Sequence, residues 1–526
     1  MIVELKDLAS VGLVKDIRDE LIPSDPMGWT TAQNVRFKNG SISKIPGSTV
    51  VISDIPIQPY YFSNLRLGTD NWYFIGGLQK FYLYYNGNYY NITRQTAGVD
   101  VNYNCTNDYL WDYTVLNSIP VFNNGVDIPQ AWQSAITTTK LTSLPGWNAT
   151  TTCKEMRSFK AYLVAGDITI GTTRYGNRVY WSGSALPGAL PTSWDVTDPA
   201  SDSGYIELSD TEGNIIDMKV LGDNLIIYKP TATYIMQYVG GNKIFSIKKI
   251  NSTVGLLCKR ALTEVKGQHL VVTNEDVILS DGFNYKSIID GRLRKYLFAN
   301  ISNTSIDRTF VVHNYIESEV WICVSSSSAN IFPTIAYVFN YDNNTWTTRT
   351  FSETPLINSS TLDISSLGVY NSYTTTVFNS SVDIFDSSSF NKKSQSLVYC
   401  DHLNNRILRL DSNSNTDMDG PMNAIVERTN LKLTEDESVK TIKGIWIKAS
   451  LGSKSNDTHL QVFVGTQMHK NDPITWSGPY SFDILQDDKI DLFETGRYIS
   501  IRIKSNTDID WSLENIDLDV VSSGKW

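Results

Sequence analysis

The sequence predicts an all-β protein whose body is a β-propeller of six to eight four-stranded blades, flanked by an N-terminal arm and a C-terminal β-sandwich platform. Three observations carry that prediction. Units of one kind, an apolar strand, an Asn/Asp/Gly turn and an aromatic strand, recur between residues 57 and 410, and recurrence at long period decides architecture before any single residue does. Aromatic residues make up 11% of the chain, with 28 Tyr, 19 Phe and 13 Trp, against 19% charged residues, a mixture that suits half-buried strands and leaves little room for long helices. At 526 residues the chain also exceeds the size at which one hydrophobic core keeps growing. Radial repetition closes such an array by hiding strand edges and burying the apolar faces between blades; two packed sandwiches are the competing arrangement.

Residues 1–50 read as an extended arm that contributes to the platform. Pro23, Pro26 and Pro46 interrupt any helix, and Ala32-Gln-Asn-Val-Arg-Phe-Lys-Asn-Gly-Ser-Ile-Ser-Lys-Ile-Pro-Gly47 reads as a strand, an Asn-Gly turn and a second strand. Residues 51–420 hold the repeats. The first unit has strands over 71–76 and 81–85, with Asn86-Gly87 turning into 89–93; the second has 118–122, the turn Asn123-Asn-Gly125 and Ala131-Trp132. A third runs through 161–166 and 177–182 to a proline-rich loop ending at Trp194, a fourth through 221–228 and 232–238, and a fifth through 269–273 and 276–280 to Asp281-Gly282. The sixth is a strand over 319–323 and the hairpin 336–349. The last, 397–400 with 406–410, follows a Ser/Thr/Asn-rich stretch over 351–395 that reads as an insertion or mobile loop. Turn-rich residues 411–420 then mark a boundary. Beyond it 424–428, 442–448, 460–464, 497–503 and 518–521 alternate like sandwich strands, so 421–526 reads as a separate β-sandwich.

The net charge of -10 argues against a surface that grips nucleic acid, since phosphate binding needs clustered Lys and Arg, but an acidic passage lets a duplex slide without sticking. Cys105, Cys153, Cys258, Cys323 and Cys400 are odd in number, far apart and never spaced C-x-x-C. They read as free, mostly buried thiols of a chain made in a reducing cytoplasm. The first residues lack a basic segment followed by an apolar run, and no stretch approaches the roughly 18 apolar residues of a membrane span, so neither secretion nor membrane insertion is expected.

Catalytic chemistry finds few footholds. Asp411, Asn413 and Asn415 alternate as in a calcium loop, but Thr416 stands where the Gly belongs and Met422 where the Glu belongs. His269, His313, His402, His459 and His469 form no H-x-x-x-H pair, and neither a G-x-S-x-G elbow nor a phosphate-cradling G-x-x-x-x-G-K-[ST] loop occurs. A glycosidase needs two carboxylates facing across a sugar ring. Asp112, Asp167, Asp195, Asp223, Asp276, Glu317, Glu319 and Asp342 are available, mostly in turn contexts where Asp side chains bind nearby backbone amides. The aromatic strands are expected to pack between blades rather than to form a stacking platform. No residue is assigned a catalytic, cofactor-binding or metal-binding role, no cofactor is expected, and the chain is not expected to be an enzyme.

Three segments carry a resemblance to a known family. Met27-Gly-Trp-Thr-Thr-Ala-Gln-Asn-Val-Arg-Phe-Lys-Asn-Gly-Ser-Ile-Ser-Lys-Ile-Pro-Gly47 resembles the opening of tail nozzle proteins of short-tailed bacteriophages, with an Asn-Val-Arg-Phe-like strand and a Lys-x-Pro-Gly-like ending. Ser318-Glu-Val-Trp-Ile322 leading into Ala336-Tyr-Val-Phe-Asn-Tyr-Asp-Asn-Asn-Thr-Trp346 and Arg349 is similar to a blade of that family, and Gly496-Arg-Tyr-Ile-Ser-Ile-Arg-Ile503 with Trp511 and Ile516-Asp-Leu-Asp519 to its final sandwich strands. The segments span the chain in the family's order, although the sequence between them departs freely, above all over 351–395. The resemblance implies a structural virion protein of a podovirus-type tail. It would be a homohexameric ring at the distal end, joined to a ring of tail adaptor subunits and to tail fibres or spikes. Its channel would pass double-stranded DNA as non-specific cargo during ejection, gated by loops. The alternative is a propeller that binds or hydrolyses glycans of host surface polysaccharide.

Overall fold

The computed structural model describes residues 1–526 apart from 69, 109–110, 242, 327–330, 352–358, 364–394, 413, 419, 432, 434–437, 453–454 and 525–526. Six antiparallel four-stranded units follow one another as meanders. Blade 1 is Tyr61–Leu67, Asp70–Gly76, Phe81–Tyr85 and Asn88–Asn91; blade 2 is Asp112–Leu116, Ile119–Asn123, Gln130–Ala131 and Thr142–Ser143. Blade 3 is Thr151–Phe159, Tyr162–Ile170, Thr173–Trp181 and Gly204–Glu207, and blade 4 is Asp217–Leu221, Asn224–Tyr228, Thr233–Tyr238 and Phe245–Asn251. Blade 5 is Leu262–Val265, Gln268–Val272, Val277–Ser280 and Tyr285–Ser287, and blade 6 is Phe310–Asn314, Glu319–Val324, Ile335–Asn340 and Thr345–Thr350. Blade 7 has three strands of its own, Ser359–Asp363, Gln395–Asp401 and Arg406–Arg409. Its fourth, Thr49–Ile52, comes from the N-terminal side and pairs Val50 with Leu408. The fold is therefore a seven-bladed β-propeller, closed by pairing a strand that precedes blade 1 with the last strand of blade 7.

Apolar packing follows the same circle. Tyr61, Phe74 and Phe81 of blade 1 pack with Phe122 and Trp132 of blade 2, and Leu116 and Val121 of blade 2 with Cys153 and Leu163 of blade 3. Val164 and Val179 meet Met218 and Ile227 of blade 4; Phe310 and Trp321 of blade 6 meet Leu397 and Leu408 of blade 7; and Phe62 and Ile75 of blade 1 meet Val398 and Ile407 of blade 7. Strands such as Asn224–Tyr228 and Glu319–Val324 are apolar and buried along nearly their whole length, because successive side chains point to opposite faces and both faces of a blade are covered. Trp346, opposite Phe339 in the hairpin 336–349, is fully buried, so that aromatic pair packs between layers.

The platform is a two-sheet sandwich that draws on both ends of the chain. In one sheet the order is Lys489–Gly496, Val439–Leu451, Trp511–Gly524, Ser41–Lys44 and Val35–Lys38, with Ile2–Leu5 also on Trp511–Gly524. The other runs Thr31–Gln33, Ala424–Leu431, Tyr498–Ser505, His459–Gln467 and Thr475–Asp483, and is continuous with blade 6 because Gln33 pairs with Thr348 on one side and Ile425 on the other. Residues 421–526 are thus not a separate unit. Their sheets are completed by the arm, since Leu513 and Ser512 would otherwise be an open edge where Ile42 and Ser43 now pair. The Asn39-Gly40 turn joins the two arm strands with both residues at positive φ (54° and 78°), the geometry that matches strand twist and that Asn and Gly reach most easily. The arm also carries a short 3-10 turn, Asp19–Leu21. The fully buried Arg428 holds it, donating to the carbonyls of Asp19 and Ile22 at 2.7 Å each.

Two boundaries shift from the sequence reading. The propeller takes its first strand from Thr49, two residues earlier than expected, because closing blade 7 needs it. Most of the stretch 351–395 lies outside the described residues; within it Ser359–Asp363 is not loop but the first strand of blade 7, a Ser-Ser-Thr-Leu-Asp run too polar to read as a strand.

Candidate functional site

The first strands of neighbouring blades lie side by side: Asp112–Leu116 against Thr151–Phe159, Thr151–Phe159 against Asp217–Leu221, Leu262–Val265 against Phe310–Asn314, and Ser359–Asp363 against Tyr61–Leu67. They form the inner wall of the ring. On that wall sits a charge network built by four successive segments. Arg157 Nη2 is 2.7 Å from Asp112 Oδ2, 2.7 Å from Asp217 Oδ1 and 3.4 Å from Glu155 Oε2. Lys259, in the segment leading to blade 5, places Nζ 2.9 Å from Glu155 Oε1 and 3.6 Å from Asp112 Oδ2, and the backbone N–H of Arg260 donates to Asp217 Oδ2 at 3.0 Å.

Burial sets the electrostatics. It opposes the charge of Asp112, but Arg157, Lys259 and Arg260 overcome it and hold that carboxyl well below the usual range. Glu155, 1% exposed, is pushed up by burial to about 8 even with Lys259 in contact. Burial likewise works against Lys259, yet Glu155 and Asp112 leave its pKa above the ordinary value. Carboxyls driven apart in pKa are the pattern of an acid/base pair. Here, however, both oxygens of Glu155 are faced by cations and the arginine bridges three blades, so the network acts as a fastener across the inner wall. Apart from Glu155 and Arg157, its ion-paired partners stand between 45 residues (Asp112 and Arg157) and 147 residues (Asp112 and Lys259) apart in sequence, so of these residues only Asp112 stands out in the sequence. The one local signal for the others is a Lys-Glu-Met-Arg run inside an otherwise strand-like segment.

The remaining acids find separate partners. Glu319 and Glu317 join a second network around Arg36, with Glu319 Oε2 2.9 Å from Arg36 Nη2 and Glu317 Oε2 2.7 Å from Lys38 Nζ. Asp167 accepts from Arg174 at 2.7 Å, Asp223 from Lys160 at 2.7 Å, Asp342 from Lys266 at 2.6 Å and Asp276 from Arg294 at 3.0 Å. Asp195 accepts the backbone N–H of Thr197 at 2.8 Å, and Asp112 and Asp276 also accept the N–H of the next residue, so the turn reading holds for part of the set. The loop 411–420 contributes Asp411 to Arg36 at 2.9 Å and to Asn314 at 2.8 Å, which commits that carboxylate to the arm joint.

The five cysteines are free and buried. His269 is fully buried between blades 4 and 5, accepting from the Tyr228 hydroxyl at Nδ1 (2.8 Å) and donating from Nε2 to the Val220 carbonyl (3.1 Å). Burial, reinforced by Lys219, pushes its pKa down to about 4 against the Val220 bond. A base whose folded pKa is depressed contributes stability that is intact above its unfolded value near 6.5 and is lost as pH falls toward 4. The expected outcome is a loss of about 1.4 kcal/mol per pH unit below about 6.5, read as a fall in melting temperature that flattens in His269→Gln. Equal pH slopes for the two proteins would refute it.

Among the described residues no three of His, Cys, Asp and Glu come together to hold a metal ion, and no helix is long and apolar enough to cross a membrane. No protein-family model and no curated protein matches the chain. Among solved structures it is similar to BBS1N in complex with ARL6DN, at 10% identity and a TM-score of 0.37 over 71% of this chain and 98% of that one. It is also similar to the WD40 β-propeller domain of Doa1, at 8% identity and a TM-score of 0.35 over 69% and 96%. The Pan2 WD40 domain of Neurospora crassa matches at 8% identity and a TM-score of 0.38 over 72% and 98%.

Proposed function

We propose that this chain is a structural subunit of a phage tail nozzle, assembling as a homohexameric ring whose central passage conducts double-stranded DNA. One observation carries the reading: the three segments that resemble nozzle proteins, far apart in sequence, meet in a single joint. Thr31–Gln33 lies between Thr345–Thr350 and Ala424–Leu431, the latter pairs with Tyr498–Ser505, and Ser41–Lys44 pairs with Trp511–Gly524. Arg36 and Glu319, one from each of the first two segments, are bonded there. A motif set that meets in one joint between blade and platform supports a common structural module at that place in the chain.

The charge network across the propeller's inner wall supports a conduit between subunits rather than through each propeller. A head-to-tail interface that closes by rotation supplies such a passage, and a net charge of -10 lets a duplex pass without binding. In this reading the sandwich and arm face the adaptor ring, the tail fibres or spikes attach at the rim, and the protein resides in the virion after synthesis in the host cytoplasm. It is not an enzyme. Electron microscopy and native mass spectrometry of the purified protein should find six-copy rings. A monomer at every concentration, or shortened chains and new reducing ends after incubation with host polysaccharide, overturns the proposal.

A further inference from the structure

Blade 3 carries a cleft of about 320 Å3 between the loop ahead of its first strand, the loop 183–203 and its outer strands. The two loops approach because residue 146 is glycine: its φ is +66°, and a Cβ there would stand 2.1 Å from the Thr192 carbonyl oxygen. The floor is a rigid aromatic cluster. Trp147 and Trp194 meet edge to face at 4.5 Å, Tyr180 lies 5.2 Å from Trp194, and Trp147 Nε1 donates to the Thr151 carbonyl at 2.8 Å. Tyr205, 48% exposed, supplies the ring area left open.

The polar groups at this cleft define what fits it. The Arg178 guanidinium is covered by the rings of Tyr175 (3.8 Å) and Tyr205 (4.2 Å) and donates to Glu207 at 2.7 Å, so its charge is already neutralised. The remaining charge is the Asp195 carboxylate, which disfavours an anion. Asp195 uses Oδ1 for the Thr197 N–H, and Asn148 uses Oδ1 for the Thr150 N–H, both at 2.8 Å. Beside the half-exposed Tyr205 ring, that leaves the Asn148 amide NH2 as donor and the Asp195 carboxylate, which also meets the Asp198 backbone N–H, as acceptor. Trp147 and Trp194 are 8% and 4% exposed and turned edge to face, so they do not offer the open box of rings that holds a cation. Paired acceptor and donor groups beside an aromatic surface match the hydroxyls and C–H face of a sugar, and the volume is at the small end of ligand pockets.

We propose that this cleft binds a neutral monosaccharide unit. The assignment is independent of whether the chain forms a ring. The test is saturation-transfer NMR with D-glucose, D-galactose, D-mannose and N-acetyl-D-glucosamine as probes, and with tetramethylammonium as the competing cation. Asn148→Asp keeps the oxygen that accepts from Thr150 and replaces the amide donor with a second, charged acceptor; Tyr205→Ala removes the exposed ring. At least one sugar is expected to show transfer from the wild type. Its affinity should fall about threefold to tenfold in Asn148→Asp, the worth of one hydrogen bond, and further in Tyr205→Ala, with unchanged melting temperatures. Transfer to none of the four sugars, equal affinity in both variants, or stronger binding of tetramethylammonium overturns the proposal.

Discussion

Arg36→Met is expected to destabilise the protein by about 3–5 kcal/mol, the cost of leaving buried charge without its partner. The Arg36 side chain is 7% exposed and that of Glu319 1%. Arg36 donates from Nη2 to Glu319 Oε2 and to Asp411 Oδ2, at 2.9 Å each, while Trp321 Nε1 donates to Glu319 Oε2 at 3.0 Å. Burial opposes the guanidinium's charge, but Asp411 and Glu319 more than compensate and raise its pKa well above the ordinary value. With the guanidinium gone, Glu319 keeps one indole N–H and Asp411 one amide donor from Asn314, too little for two carboxylates at that depth. Because Arg36 lies on the arm and Glu319 on blade 6, the arm should come loose first. Limited proteolysis is expected to cut within residues 1–48 before the propeller unfolds. The double variant Arg36→Met/Glu319→Gln should regain part of the loss, since it removes one stranded charge while Gln still accepts from Trp321. If the single variant melts with the wild type and its arm resists protease, the joint is held by β-pairing alone.

Arg157→Met should cost a similar amount, about 3 kcal/mol or more, and should change how stability depends on pH. In the native protein Asp112 has a depressed pKa, so its contribution is present above the ordinary carboxylate range and lost only as pH falls through the lower folded value. Without Arg157, Asp112 and Glu155 keep Lys259 as their nearest cation, and burial, which already pushes Glu155 up, raises the pKa of Asp112 as well. A carboxyl with a raised folded pKa contributes stability that is present below its unfolded value and lost as pH rises. The variant is therefore expected to gain melting temperature more steeply than the wild type as pH is lowered from 7 to about 5, where unfolded carboxyls begin to titrate. Parallel pH profiles would mean that Arg157 is not what holds Asp112 ionised. Blades 2, 3 and 4 each contribute a side chain to this network, so loss of the arginine should also weaken cooperativity between them.

Local features were legible because they depend on neighbours in sequence. The Asn39-Gly40 and Asn86-Gly87 turns, the strands of the hairpin 336–349 and the alternating segments after residue 420 all form where composition and period place them. Two sandwich strands escaped. Thr475–Asp483 contains Gly478 and Pro479, which break strand periodicity, and Lys489–Gly496 alternates with charged residues as an edge strand does. Most of the eight acids read as turn formers in the sequence, since a carboxylate's partner is a matter of geometry. Asp112 and Glu319 proved to be buried members of networks whose cations come from other blades or from the arm.

By itself the sequence determined the all-β class, the repetition of blades, the aromatic packing between them and the turn chemistry, because each follows from backbone propensity and side-chain period within some ten residues. Only the tertiary structure decided that there are seven blades, that Thr49–Ile52 closes the last, and which strands of the platform the arm pairs with. It alone also brought Arg157, Lys259 and three carboxylates together on the inner wall. The physical reason is that ring closure and buried ion pairing join groups tens to hundreds of residues apart, and their free energy depends on distance and burial, neither of which is written in any local stretch of the chain.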